Sequence, residues 1–126
     1  MLFRSRAKVH GRDTFEVSLG IPIFIGDDRT ALMGAARANL GLYAGLPFFQ
    51  RLLRVSGFEK DAVKAEQGGG GDALSDEFLN SVCLIGSVSR CRERLGAFTE
   101  AGVTLPILMP PIGVDGSRSV IRAFIP

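Results

Sequence analysis

The sequence predicts an α/β fold in which two strands, buried on both faces, are separated by a long run of helices. Three observations carry this. Ile21-Pro22-Ile23-Phe24-Ile25 and Val103 to Met109 are short and almost wholly apolar, the pattern of strands covered on both sides, as in a parallel sheet. Between them, apolar residues recur at steps of three and four, the spacing of one helix face. Glycine, proline and capping residues punctuate these segments where helices should begin and end.

Taken along the chain, Gly11-Arg12-Asp13 reads as a turn. Phe15, Val17, Leu19, Ile21, Ile23 and Ile25 then fall on alternate positions. Pro22 cannot donate to a sheet ladder, so the strand is placed over Ile21–Ile25 with Pro22 near its beginning. Gly26-Asp27-Asp28 ends the strand, and an aspartate there can accept from the free N–H groups of a following helix. That helix is expected from about Arg29 to Leu46, with Leu32, Ala36, Leu40 and Tyr43 on one face. Pro47 suits the first turn of a second helix carrying Phe48, Phe49, Leu52, Leu53 and Val55, stopped by Gly57. Phe58 to Gln67 forms a third, short helix. Gly68-Gly69-Gly70-Gly71 is costly to order and reads as a flexible loop. It lacks the preceding strand and the Lys-Ser/Thr pair of a phosphate loop. Ser75 caps a helix with Phe78, Leu79, Val82 and Ile85 on its apolar face, ending at Gly86. Ser87 caps the next, with Val88, Cys91, Leu95 and Phe98, closed by Gly102. After the second strand, Pro110-Pro111 forbids continuation, and Ser117 to Phe124 forms a last amphipathic helix.

Composition narrows the function. With 126 residues, 46% hydrophobic and 22% charged, the chain suits one core-forming domain. A net charge of +2 from 15 basic and 13 acidic residues is too slight for nucleic-acid binding, and the basic residues do not interleave with aromatics. One histidine and two cysteines without CxxC spacing supply no metal site. No segment has the ~20 apolar residues of a membrane span, and the first residues lack the apolar stretch of a secretory signal, so the expected location is the cytoplasm. Two strands separated by roughly 80 residues, where a parallel crossover needs about a dozen or somewhat more, make an incomplete sheet.

These pieces, in this order, carry a resemblance. Gly11-Arg12-Asp13 before the first strand, Gly26-Asp27-Asp28-Arg29 leading into Ala35-Ala36-Arg37, Leu42-Tyr43-Ala44-Gly45-Leu46-Pro47, Gly86-Ser87-Val88 with Cys91-Arg92-Glu93-Arg94-Leu95, and Ala101-Gly102-Val103-Thr104-Leu105-Pro106-Ile107-Leu108 together resemble the C-terminal region of the luciferase-like monooxygenases. No piece is specific alone; the ordered set spans Phe15 to Pro111. The resemblance implies the C-terminal portion of a TIM (β/α)8 barrel, an assembly of about 250 residues, with two parallel strands and a helical insertion between them. It implies a parent oxidoreductase using FMN or a deazaflavin coenzyme on a small organic substrate, and a chain inactive alone because six strands are missing. A homo-oligomer or a complementing chain would supply them.

Barrel active sites lie at the C-terminal ends of the strands. On that basis Asp27, Ile112 and Gly113 are candidates for coenzyme contact, and Tyr43, Phe48 and Phe49, in the insertion, for a substrate pocket. Helix capping explains Asp27 or Asp28 without chemistry, a tight turn explains Gly113, and core packing explains the aromatics. Arg51 and Arg54 read as a solvated helix face, as does the Arg90-Arg92-Arg94 run. His10 has nothing nearby to position it for catalysis, and no nucleophile has an attendant base. The competing expectation is a stand-alone helical binding module. It would carry polar residues on one face of each strand, whereas Ile21, Ile23, Ile107 and Leu108 are apolar.

Overall fold

A computed structural model describes residues 16–126. The proposed turn at Gly11–Asp13, His10 and Phe15 lie outside the described residues. Strand β1 (Ser18–Ile25) is the centre of a three-stranded parallel sheet, flanked by β2 (Leu84–Gly86) and β3 (Leu105–Met109) in the order β2-β1-β3. The two expected strands are parallel neighbours, with Ile21 opposite Leu108.

Pro22 is not at the start of β1 but at its fifth residue, in the strand that has a partner on each side. The reason is a change of partner. Ser18 to Pro22 pair with β3, and Ile23 to Ile25 pair with β2. No β2 residue stands opposite Pro22, so its missing donor interrupts no pairing on that side. Pro106 lies in β3, an edge strand, where proline is tolerated.

The third strand corrects the sequence reading. Helix α4 (Asp76–Val82) stops before Ile85, and Cys83 is already extended. Cys83, Leu84 and Ile85 are all buried, which a single helix face cannot achieve for three successive residues. A strand can, because successive side chains point to opposite faces. Leu84 joins the cluster of Ile21, Ile23, Cys91 and Val120, while Ile85 joins that of Phe24, Met33, Ala36 and Leu40.

Each face of the sheet therefore has its own core. One face packs on α5 (Val88–Glu100) and α6 (Val114–Phe124). The other packs on α1 (Arg29–Ala44) and, through it, on α2 (Pro47–Val55), α3 (Glu59–Glu66) and α4. The strand order requires this. The path from β1 to β2 and the path from β2 back past β1 to β3 run in opposite directions, and right-handed crossovers then place their helices on opposite faces.

The helix ends follow their capping residues. Asp28 accepts from Ala31 N at 3.1 Å, Ser75 from Phe78 N at 3.2 Å and Ser87 from Arg90 N at 3.3 Å. Ser75 is held in turn by buried Asp61, whose carboxylate accepts from both its N–H (2.9 Å) and its hydroxyl (2.7 Å). Gly68–Gly71, expected as a flexible loop, leads into a 3₁₀ turn (Gly70–Ala73) lying on α1. A Cβ at Gly71 would stand 2.5 Å from Arg37 O, and one at Gly41 would stand 2.7 Å from Gly71 N. Arg37 locks the contact by donating to Leu74 O at 3.1 Å and pairing with Asp76.

Two glycine substitutions separate crowding from helix propensity. Gly71→Ala meets backbone that cannot swing aside and is expected to lower stability by about 1–3 kcal/mol. Gly34→Ala, on an exposed stretch of α1 with nothing within 4 Å, is expected to raise it by about 1 kcal/mol. Denaturant melts of the two variants check both signs.

Candidate functional site

Between the α1–α2 corner and the β1–β3 half of the sheet lies a groove of about 600 Å³. Its floor is built from Gly20, Pro22 and Met109, whose residues point to the face opposite Ile21 and Leu108. A Cβ on Gly20 would stand 3.1 Å from Met109 Sδ, so the bare backbone leaves room for the methionine to lie across the neighbouring strand. Pro110 and Ile112 extend the floor beyond the C-terminal end of β3.

The wall comes from Tyr43, Phe48, Phe49 and Leu52. Pro47 starts α2 at the turn after α1, and this sharp reversal brings Tyr43 and Phe49 to the same corner. Their rings stack with centroids 6.2 Å apart, and Phe49 meets Phe78 edge-on at 5.8 Å. Phe49 is thus a core residue with one edge in the groove, 7% exposed, whereas Phe48 stands at the rim, 64% exposed. Neutral Asn39 and Ser81 also line the groove; none of its described lining residues is charged.

The structure therefore brings together four of the six residues singled out from the sequence: Tyr43, Phe48, Phe49 and Ile112. Asp27 and Gly113 do not line the groove. Asp27 is exposed where β1 ends, beside the Gly26 N–H to Gly86 O bond of 3.0 Å, and Asp28 alone caps α1. Gly113 precedes α6 with φ of 126°, a conformation that favours glycine. Gly20, Pro22 and Met109 were missed. The signal for them was the strand period of two, which sends alternate residues of an apolar run to the opposite face.

The arginines serve the fold. Arg54 pairs with Glu66 at 2.6 Å and with Glu59, and the hydrogen bonds to Glu66 and Glu59 raise its pKa further. Arg92 donates to Ala123 O at 3.1 Å, and Arg94 to Asn80 O at 3.0 Å, so both tie α5 to neighbouring elements. Burial pushes the Cys83 thiol up to about 12, and burial also raises that of Cys91. Both stay protonated at neutral pH, which removes them as nucleophiles. Among the described residues no group of histidine, cysteine, aspartate or glutamate could hold a metal, and no helix is long and apolar enough to cross a membrane.

A family model for luciferase-like monooxygenases matches residues 2–105. The chain belongs to the luciferase-like monooxygenase family. Among curated proteins it is similar to a 5,10-methylenetetrahydromethanopterin reductase of Archaeoglobus fulgidus, with 27% identity over 122 residues. That alignment covers 86% of this chain and 36% of the relative, so the chain spans about a third of that relative's length. No solved structure matches.

The two aspartates at the end of β1 are separable by stability. Asp28→Ala removes a cap and is expected to cost about 1 kcal/mol, while Asp27→Ala is expected to stay within about 0.5 kcal/mol of the parent. Thermal melts of both variants check this.

Proposed function

We propose that this chain forms the C-terminal part of a luciferase-like oxidoreductase barrel and supplies one wall of its active site, without catalysing on its own. The observation that carries this reading is the meeting of Tyr43, Phe48 and Phe49 from the helical insertion with Ile112 from beyond β3. Loops after barrel strands are where such enzymes place their chemistry. The unit of β1 and β3 with α5 and α6 on one face supports a piece of barrel wall. The helices α1–α4 with β2 then make the insertion.

FMN or a deazaflavin coenzyme, when bound, would supply hydride transfer or dioxygen activation on a small organic substrate. The residues present suit part of such a molecule. Ile112 and the Met109 floor offer apolar surface for one edge of its ring system, and Tyr43 and Phe48 face them across the groove from the substrate side. A coenzyme phosphate finds no partner in this groove. In this reading Ile112, Gly113 and Asp27 lie along the coenzyme side, at the ends of β1 and β3, and the aromatics along the substrate side. Their task is to bind, orient and exclude water; no side chain here is poised to move a proton.

A pocket wall without the rest of its pocket should bind weakly, because a few contacts barely offset the several kcal/mol cost of immobilising a ligand. Titrating the chain with FMN and with a deazaflavin coenzyme, followed by NMR, is expected to shift Ile112 and Gly113 with half-saturation no tighter than about 1 mM and to show no turnover. Micromolar affinity would mean that the site is complete in this chain. No shift at several millimolar would remove these residues from the active-site wall.

A further inference from the structure

Two other hollows on the described residues carry charged side chains at their rims. Lys64 and Asp72 line the hollow beside Gly68–Gly69, and Arg37 and Asp72 line that beside Gly41. The α2 corner groove is different. Its described lining comprises leucines, phenylalanines, prolines, glycine, valine, isoleucine and methionine, relieved only by the Tyr43 phenol, the Asn39 amide and the Ser81 hydroxyl. Its volume of about 600 Å³ falls within the range of small-molecule sites, about 300–1,000 Å³.

We infer that this groove is the subsite for a neutral, largely apolar ring compound with one or two hydrogen-bonding groups, and that it rejects anions. The inference rests on the pocket-wall reading above and names the substrate class of that wall. Three features carry it. An ionised group entering the groove would lose water and gain no opposite charge, a cost that only a partner could offset. A neutral ring would exchange water for Phe48, Tyr43 and the Met109–Pro22 floor, which lie on different sides of the cavity. The neutral polar groups, Tyr43 with Asn39 and Ser81, suffice to orient a hydroxyl or carbonyl but not to hold a carboxylate or phosphate. The Ser81 hydroxyl already donates to Phe78 O at 2.7 Å, so it is left as an acceptor for a ligand's donor.

The groove is a better fit for a small ring than for a second copy of the chain. It is concave and confined to the corner, whereas other exposed apolar residues, such as Val55, Leu105 and Ile121, lie on α2, β3 and α6 outside its lining.

The test compares one ring with two charges. Naphthol and naphthalenesulfonate are titrated into the full chain at pH 7 with NMR detection of the Tyr43 ring and the Met109 methyl, and light scattering is recorded in parallel. Naphthol is expected to bind at least tenfold more tightly than the sulfonate and to move both signals. Phe48→Ala should weaken naphthol at least fivefold. Phe48 is mostly exposed, so its loss leaves the core intact, and an unchanged melting curve confirms that. Val55→Ser, on the same helix but outside the groove, should leave binding unchanged. Equal or tighter binding of the sulfonate, failure of either probe to move Tyr43 and Met109, or a stable dimer that Phe48→Ala dissolves would each overturn the inference. If naphthol fails while FMN or deazaflavin still shifts Ile112, only the substrate class is lost and the oxidoreductase wall stands.

Discussion

The pairing of β1 on both of its edges is the constraint on which everything else here depends. Its first five residues are paired with β3 and its last three with β2, so one eight-residue strand runs through both halves of the sheet. Its side chains divide the same way. Ile21 and Ile23 enter the core under α5 and α6, and Phe24 enters the core of the helical insertion. Both cores draw on the strand, because each helix layer must bury its apolar side against another element. Pro22 marks the junction. It sits where hydrogen bonding passes from one neighbour to the other, and its side of the strand, with Gly20, becomes groove floor instead of core.

The groove follows from that division. Toward β2, the insertion covers the sheet completely. Toward β3, it swings away at the α1–α2 turn and leaves Gly20, Pro22, Met109 and Ile112 facing Tyr43 and Phe48 across an open space. Ile112 is 99% exposed. In a luciferase-like chain that spans about a third of its curated relative, an apolar surface of this kind is suited to contact with ligand or with further protein. The groove's described lining carries no charge, which is the ground for inferring a neutral ligand.

Much of this was legible in the residues, and where it was not the physics is specific. Asp28, Ser75 and Ser87 announced three helix starts because a short polar side chain before an apolar period has one good use. Ile21–Ile25 was legible because a strand covered on both faces cannot hide its composition. Val103–Met109 was read the same way, but the strand begins at Leu105 and one of its faces, Leu105, Ile107 and Met109, is exposed, because no helix covers that side. β2 was missed because Ile85 also fits the helical spacing of Phe78, Leu79 and Val82. Three residues are too few for alternation to outweigh that pattern. The beginning of β1 at Ser18 was missed because proline was judged by the general rule against central strands, and a partner change at Pro22 is a tertiary fact. The glycine run looked like a linker because crowding against Arg37 O leaves no local mark. Among the candidate site residues, those on the insertion converge with Ile112 because Pro47 forces the corner. Asp27 and Gly113 stand apart because each is already occupied with ending or starting an element.

Native-state hydrogen exchange of the backbone amides tests the role of β1 most directly. If the strand holds both cores, the amides of Ile23, Phe24 and Ile25 should be among the slowest in the chain, and those of Leu84 and Ile85 should open with them at a common free energy. Amides of β3 beyond Ile107 should exchange sooner. Exchange of Ile23–Ile25 before the interior amides of α1 and α5 would contradict the account, since the helical layers would then persist without the strand said to join them.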